Sequence, residues 1–500
     1  MINIDINLVL AAVCFTWNYC LFCGFISDDH SGVSQRTDII PDTEKVDRKE
    51  GFWVKRFNDG IVIYYLNRFF WWLVLKDNPL PWHIFSLTIH VLNTYLLYLL
   101  LLPIIGHSSL YACAFWAVNP MLNQNVVWIS GRPYLIGTLF ALISMICWDN
   151  PIVFIPFYFL GLVTNISVAL VPIIIWIIHP FNFYSNLFLS VLFIVAIPFI
   201  AWKFHMRFMN GLVIDRDNFR FKLRKLNTFA KMIVYYIWTL FVPVRMGWYH
   251  QAGFRYNQQW EKFNYLTLIG YALLLSLIFY FKLPGLWFLL GLLPLSNIFA
   301  TNSFLQDRYL YFASIGIAII ISPYLYKYPE LFYCVMTFYI TRSYMYSRHL
   351  KNDELLYREN WRNHPKSDYA INNLAFFLIQ KGKFDEARVI IEQGLNIDRT
   401  NKMLWYNLGI THAAQGNFNN DEGKLRFIRA LDCWKTCLSI EPRWTKPAND
   451  LKKLIQLLVD NKVLSISPQE GGNSMEISIP NLTGVQEIIQ GKNENTSNGT

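Results

Sequence analysis

WHIFSLTIHVLNTYLLYLLLL, residues 82–102, contains no Lys, Arg, Asp or Glu. A bilayer span needs about 20 such residues, so this stretch sets the class. Similar near-uninterrupted apolar blocks recur on both sides of it, at Asn7–Phe22, Val126–Trp148, Ser190–Trp202, Leu266–Phe281 and Gly285–Phe299. The 500-residue chain is 54% hydrophobic and 16% charged, whereas a soluble domain carries about 25% charged residues. A soluble fold would need nearly every helix to be apolar all round. The sequence therefore reads as all-α: a polytopic transmembrane helical bundle over residues 1–346, followed by a smaller helical domain.

Working outward, the first apolar block is preceded by MINID, which carries no basic residue, and no small-residue cleavage site precedes Asp28. It is read as a retained span and not a signal peptide. Residues 27–80 form the first external loop. It opens on SDDHSG, and IVIYYLNRFFWWLVL (61–75) inside it reads as a helix lying in the membrane interface, interrupted by Asn67-Arg68. Two short segments, Pro151–Val163 and Asn165–His179, read as a re-entrant pair. The net charge of +10 is concentrated in a loop, Lys203–Lys231. That pattern is a cytoplasmic anchor and not a nucleic-acid surface. The eight cysteines show neither metal spacing nor a disulfide framework.

At about residue 347 the composition turns charged and amphipathic. Leu374-Ala375, Ala387 and Gly394 take the small positions at which paired helices touch. Trp405, Leu408-Gly409, Ala430, Trp434 and Pro442 repeat the pattern, with an insertion at Phe418–Phe427. This is the tetratricopeptide spacing, so 347–460 is expected to be a small helical-repeat domain that offers a concave binding surface. Residues 461–500, rich in Gly, Asn and Ser, are expected to be disordered.

The charged residues at the ends of apolar blocks are the candidate site. Asp28 and Asp29 are adjacent carboxylates, of which one is expected to have a raised pKa suited to a base. A divalent metal between them is the alternative. His30 reads as a bystander. Arg132 in ISGRP and Arg308 in QDRYLY are costly charges at membrane depth and fit phosphate, with Tyr309 and Asp307 beside Arg308. Both arginines also fit a snorkelling role. His83, His90 and Asn93 fall near one helical face and serve either substrate contact or interhelical hydrogen bonding. Asn119, Asn123, Gln124 and Asn125 cluster at a helix junction, where they either bond sugar hydroxyls or cap two spans. His250, with Trp248 and Tyr249, is either a sugar-stacking patch or an interfacial belt.

Several of these segments, in order, resemble the transmembrane and tetratricopeptide-repeat-containing proteins. NPLPWHIFSLTIHVLNTYLLYLLLL (78–102) resembles that family's N-P-x-x-x-H…L-x-H-x-x-N stretch, which follows an acidic pair. NPMLNQNVVWISGRPYLIGTLF (119–140) resembles its H-P-x-x-x-E-x-V…GR…L segment. GLLPLSNIF…QDRYLYFASIG (291–316) resembles L-P-x-S-N…E-R-x-L-Y-x-P-S-x-G. The chain departs from the family at Asn119, Gln124 and Asp307, where His, Glu and Glu stand in the pattern. The resemblance implies a class C (GT-C) glycosyltransferase fold and inverting transfer of a sugar, mannose by analogy, from a polyprenyl or dolichyl phosphate. It implies an external-loop acid as the catalytic residue, a role that falls on Asp28 or Asp29 with Asp29 favoured by the reading of the residues, and a Ser/Thr protein acceptor presented by the repeats. The implied setting is a bacterial inner membrane or the ER membrane, with site and repeats on the periplasmic or lumenal side. Transfer to a lipid-linked glycan or cell-surface polysaccharide, and a non-catalytic scaffold, are the other readings. Beyond a metal at the aspartates, no cofactor is expected.

Overall fold

The computed structural model describes residues 4–27, 29, 61–73, 78–180, 182–191, 194, 196–202, 224–247, 262–296, 305–468 and 475–478. The chain divides into two compact units, Met1–His364 and Pro365–Thr500.

The first unit is a helical bundle. Its elements are α1 (Ile6–Trp17), α2 (Ile61–Trp72), α3 (Leu80–Ile105), α4 (Ser108–Ala117), α5 (Arg132–Ile146), α6 (Pro151–Thr164), α7 (Val171–Ile178), α8 (Phe183–Val191), α9 (Arg224–Phe241), α10 (Tyr265–Phe279), α11 (Lys282–Leu292), α12 (Leu310–Lys327), α13 (Pro329–Ser347) and α14 (Asp353–Asn363). Among the described residues three helical segments are long and apolar enough to cross a membrane: Leu80–Ile105, Ile129–Ile146 and Asp307–Lys327. Large apolar side chains are buried on the inside, Trp17, Trp116 and Trp287 among them, and others point outward, such as Ile152 at 85% exposure and Tyr280 at 75%. An all-apolar helix surface of this kind belongs to a helical membrane protein.

The helices close on one another through small residues. A methyl group at Gly316 of α12 would come within 2.3 Å of the Pro284 carbonyl on α11. Glycine there lets two backbones meet, the usual device for packing spans in lipid. The α6–α7 pair is joined by a 3-10 turn at Ile166–Val168. At 14 and 8 residues the two helices reach only about 21 and 12 Å, short of a ~30 Å hydrocarbon core.

The basic loop needs a correction. Its described part, Arg224–Lys231, is the start of α9, a helix whose Lys225 and Lys231 are buried. Lys231 Nζ donates to the Lys262 carbonyl at 2.5 Å. An amphipathic helix with lysines turned inward reads in sequence like any basic stretch. Residues 203–223 lie outside the described residues.

The second unit pairs α15 (Asp368–Gln380) with α16 (Phe384–Ile397), and α17 (Lys402–Gln415) with α18 (Asp421–Ile440), then adds α19 (Thr445–Asp460). The α15–α16 turn passes through Gly382, whose φ of 73° suits glycine. Gly409 faces the Trp434 indole so closely that a Cβ would lie 2.3 Å from Nε1. The insertion is taken up by α18, which has 20 residues against 14 in α16, and by the connection before it. Within 461–500, Ser465–Pro468 and Met475–Ser478 pair as antiparallel strands β1 and β2, where disorder was expected. Residues 469–474 and 479–500, which include three glycosylation sequons at Asn481, Asn495 and Asn498, lie outside the described residues.

Candidate active site

Asp29 sits on a short segment that three contacts hold in place. Gly24 N donates to the Lys351 carbonyl at 2.9 Å, the Cys23 thiol to the Ser347 carbonyl at 3.8 Å, and Ser27 N to Asp353 Oδ1 at 2.7 Å. Ser27 has a φ of 53°, a left-handed conformation that costs a non-glycine residue roughly 1–2 kcal/mol. The strain turns the chain so that Asp29 points inward, where it is fully buried. Its Oδ1 accepts from Ser130 N at 2.8 Å and Ser130 Oγ at 2.5 Å; its Oδ2 accepts from Ile26 N at 3.2 Å. A carboxylate has about four lone-pair sites. Among the described residues these contacts fill three and leave one, on Oδ2, to take a proton. Burial raises the Asp29 pKa to about 6, against the opposing pull of Ser130, Ile26 and Arg132. Asp28 and His30 lie outside the described residues.

The segment 119–132 connects this carboxylate to the arginines. Asn119 Oδ1 accepts from Met121 N at 3.0 Å and starts a series of tight turns, Pro120–Leu122, Asn123–Val126 and Ile129–Gly131. The last turn folds back on the second so closely that a Cβ on Gly131 would lie 2.3 Å from the Gln124 carbonyl. The fold-back presents Ser130 to Asp29 and Asn125 to Arg308, whose carbonyl accepts from Asn125 Nδ2 at 3.1 Å. The Arg308 guanidinium lies over Trp128 at 5.2 Å and beside Tyr309 at 5.9 Å. Trp128 and Ser130 are two residues apart, so about 7 Å of chain at most separates the Asp29 contact from the Arg308 contact. Asp307 Oδ2 accepts from Gly247 N at 3.2 Å, and the Gly247 carbonyl accepts from Gln124 Nε2 at 2.8 Å.

Arg132 opens α5 and is fully buried. It donates through Nε to the Ile129 carbonyl at 2.7 Å and through Nη2 to Asn67 Oδ1 at 2.8 Å, with its guanidinium 4.5 Å from the Trp82 ring. Among the described residues Nη1 has no hydrogen-bond partner. His83, next to that tryptophan, is buried and faces the Cys23–Gly24 backbone. The site thus gathers Asp29, Arg132, His83, Gln124, Asp307, Arg308 and Tyr309 around one fold-back.

His90 and Asn93 do not join them. Seven residues along α3 displace His90 from His83 by about 10 Å. His90 Nε2 meets the Ala117 carbonyl at 2.9 Å, and Nδ1 meets the Tyr311 hydroxyl at 2.7 Å. Asn93 Nδ2 donates to that hydroxyl at 3.1 Å and to the Leu135 carbonyl at 2.9 Å. They bond helix to helix, as do Asn119 to the Leu240 carbonyl and Asn123 to Ser347. His250 lies outside the described residues. Among the described residues no three His, Cys, Asp or Glu side chains gather as a metal site.

Sequence reasoning missed Ser130, Asn67, Trp82, Trp128 and Gln306. Asn67 carried a signal, since it breaks the apolar run of α2, and that break is where Arg132 is met. Ser130 stands inside the ISGRP motif, where attention fell on the arginine alone.

Two curated relatives match part of the chain. Protein O-mannosyl-transferase TMTC3 of Homo sapiens is 26% identical over 172 residues, which is 30% of this chain and 18% of that protein. The Mus musculus protein of the same name is 25% identical over 170 residues, again 30% and 18%. The matched region is therefore less than a fifth of these relatives' length. No family model and no solved structure matches the chain. The membrane bundle and these two similarities together point to a membrane protein related to O-mannosyl-transferases.

Proposed function

We propose that the chain is a GT-C-type membrane glycosyltransferase of the transmembrane and tetratricopeptide-repeat kind. It moves a hexose, mannose by analogy with the relatives' names, from a polyprenyl or dolichyl phosphate to a Ser/Thr hydroxyl of a protein. The acceptor oxygen attacks the anomeric carbon from the face opposite the phosphate, and its proton passes to Asp29 Oδ2. The carbon–phosphate oxygen bond breaks, and the electron pair leaves with the lipid phosphate. Arg308 and the open Nη1 of Arg132 offer charged donors to that leaving group, which a guanidinium fits better than an ammonium does. The product has inverted configuration. The repeats bind the acceptor protein, and the site faces the lumen or periplasm of a multi-pass protein.

One observation carries the reading: a buried carboxylate with a raised pKa is linked through residues 128–132 to two arginines. A positioned general base contributes typically 10²–10⁴-fold. In membranes supplied with polyprenyl-phosphate mannose and acceptor protein, Asp29→Asn is expected to lower transfer by at least about 100-fold. Asp28→Asn is expected to have the smaller effect. Transfer that survives both substitutions, singly and together, refutes the reading.

A further inference from the structure

Gln306 immediately precedes the Asp307-Arg308 turn and is fully buried. Among the described residues neither its Oε1 nor its Nε2 has a hydrogen-bond partner. Its backbone is gripped on both sides by one hydroxyl: Gln306 N donates to Tyr236 Oη at 3.2 Å, and Tyr236 Oη donates to the Gln306 carbonyl at 3.3 Å. The side chain therefore cannot leave its place by a backbone shift. A buried amide with both ends unmet is expensive, and native structures keep such groups where something else meets them. Two more orphan acceptors stand on the segment that packs against this turn. Asn125 Oδ1 and Gln124 Oε1 are buried without partners, while their amide nitrogens are committed to the Arg308 and Gly247 carbonyls.

The chemistry of the set selects its occupant. A phosphate accepts only, and it is served by Arg308 and Arg132. The orphan atoms here are three acceptor oxygens and one NH₂ donor, all neutral. Groups that both donate and accept fit such a set, and adjacent hydroxyls on a sugar ring are of that kind. We infer that Gln306, with Asn125 and Gln124, forms the subsite that holds hydroxyls of the transferred hexose, one turn from the phosphate-binding Arg308. The inference rests on the donor-sugar reading above and adds the residues that recognise the sugar itself. Asn125 and Gln124 are capping amides on one side and sugar ligands on the other.

The test is Gln306→Leu, which keeps the shape and removes both polar atoms. Two probes are compared in detergent-solubilised full-length protein: polyprenyl-phosphate mannose, and the sugar-free polyprenyl phosphate as its competitor. The variant is expected to raise the KM for polyprenyl-phosphate mannose about tenfold, one hydrogen bond's worth, and to leave the Ki of polyprenyl phosphate unchanged. Without either probe, its Tm is expected to rise, because replacing an orphan amide by an apolar group of similar shape removes a cost. A purely structural glutamine moves the other way: Tm falls and both constants worsen together. That pattern, or a KM that does not change, overturns the inference. The parent reading fails separately, through Asp29→Asn. If Asp29→Asn abolishes transfer and Gln306→Leu leaves the mannose KM alone, only the sugar subsite is lost. If the wild type does not transfer from the mannosyl lipid, the thermal shift still decides: equal stabilisation by the two probes rejects the subsite, and greater stabilisation by the mannosyl lipid, lost in Gln306→Leu, supports it.

Discussion

Two polar regions lie inside one apolar bundle, and they differ in what is left over. Around Tyr311, the His90 ring and the Asn93 amide spend their donors on one hydroxyl and two carbonyls, so that little beyond Asn93 Oδ1 remains unmet. At the fold-back of residues 123–132, the side chains of Gln306, Asn125, Gln124 and Arg132 all keep atoms unmet among the described residues, and Asp29 keeps a lone pair. Both regions are equally buried. Polarity at depth therefore does not by itself mark the proposed site; the proposed site differs in keeping several unmet atoms on one fold-back. A closed network holds helices together, whereas an open one waits for another molecule.

The largest effect that separates the two regions is expected from pH. Asp29 must be ionised to accept a proton, and burial raises its pKa to about 6. The rate should rise tenfold per pH unit up to about pH 6 and then level off. Between pH 4 and the plateau above pH 7 that is about 100-fold in kcat/KM, and the slope should vanish in the residual activity of Asp29→Asn. Stability runs the opposite way. The folded pKa lies above the ordinary 3.8, so the folded state binds the proton more tightly. The stabilisation is complete below about pH 4 and is lost as pH rises through 6. About two pKa units correspond to roughly 3 kcal/mol. Denaturation of wild type against Asp29→Asn at pH 4 and pH 7 measures it: the wild type's relative stability should fall across that interval. A flat difference would mean that Asp29 is solvated and that the open network has no base.

How far the sequence foretold this depends on the kind of signal. The apolar blocks announced the bundle because span length is set by the bilayer, whatever the fold. The small residues Gly394 and Gly409 announced paired helices within α15–α18, because helices meet only where a Cβ permits. Asp29, Arg132 and Arg308 stood out as charges where charges are costly. Gln306 and Ser130 did not, because a neutral side chain in a polar motif reads the same whether its hydrogen bonds are met or not. Which backbone comes opposite is a tertiary fact. His90 shows the converse error. It shares a helix face with His83, yet Tyr311 and Ala117 satisfy it, and neither partner is near in sequence.

A middle-sized effect tests the closed network. Tyr311→Phe removes the hydroxyl that His90 Nδ1 and Asn93 Nδ2 share, and it leaves buried polar atoms without that partner. Each such group costs roughly 1–3 kcal/mol, so Tm should fall clearly while the KM for the mannosyl donor stays the same. Gln306→Leu is expected to show the mirror image, with Tm up and KM up. If Tyr311→Phe alters KM at unchanged Tm, the distinction between closed and open networks fails at its closed end.

The smallest effect concerns the segment that delivers Asp29. Ser27 is held in a left-handed conformation while its amide is fixed by Asp353. Ser27→Gly relieves roughly 1–2 kcal/mol of backbone strain but gives the unfolded chain more freedom, worth roughly 0.5–1 kcal/mol. The net change in stability should stay below about 1 kcal/mol. The informative quantity is the coupling to Asp353→Ala. In the wild type, losing the Asp353 contact releases a strained turn, and Asp29 loses its aim at Ser130. With glycine at position 27 there is less strain to release, so no relief offsets the lost contact and the same substitution should cost more. A double-mutant cycle is expected to give a coupling of about 0.5–1 kcal/mol, together with a lower transfer rate for Asp353→Ala than for Asp353→Asn, whose side-chain oxygen can still accept from Ser27. Strict additivity would mean that Asp353 merely begins α14, and that the acidic segment keeps its shape without it.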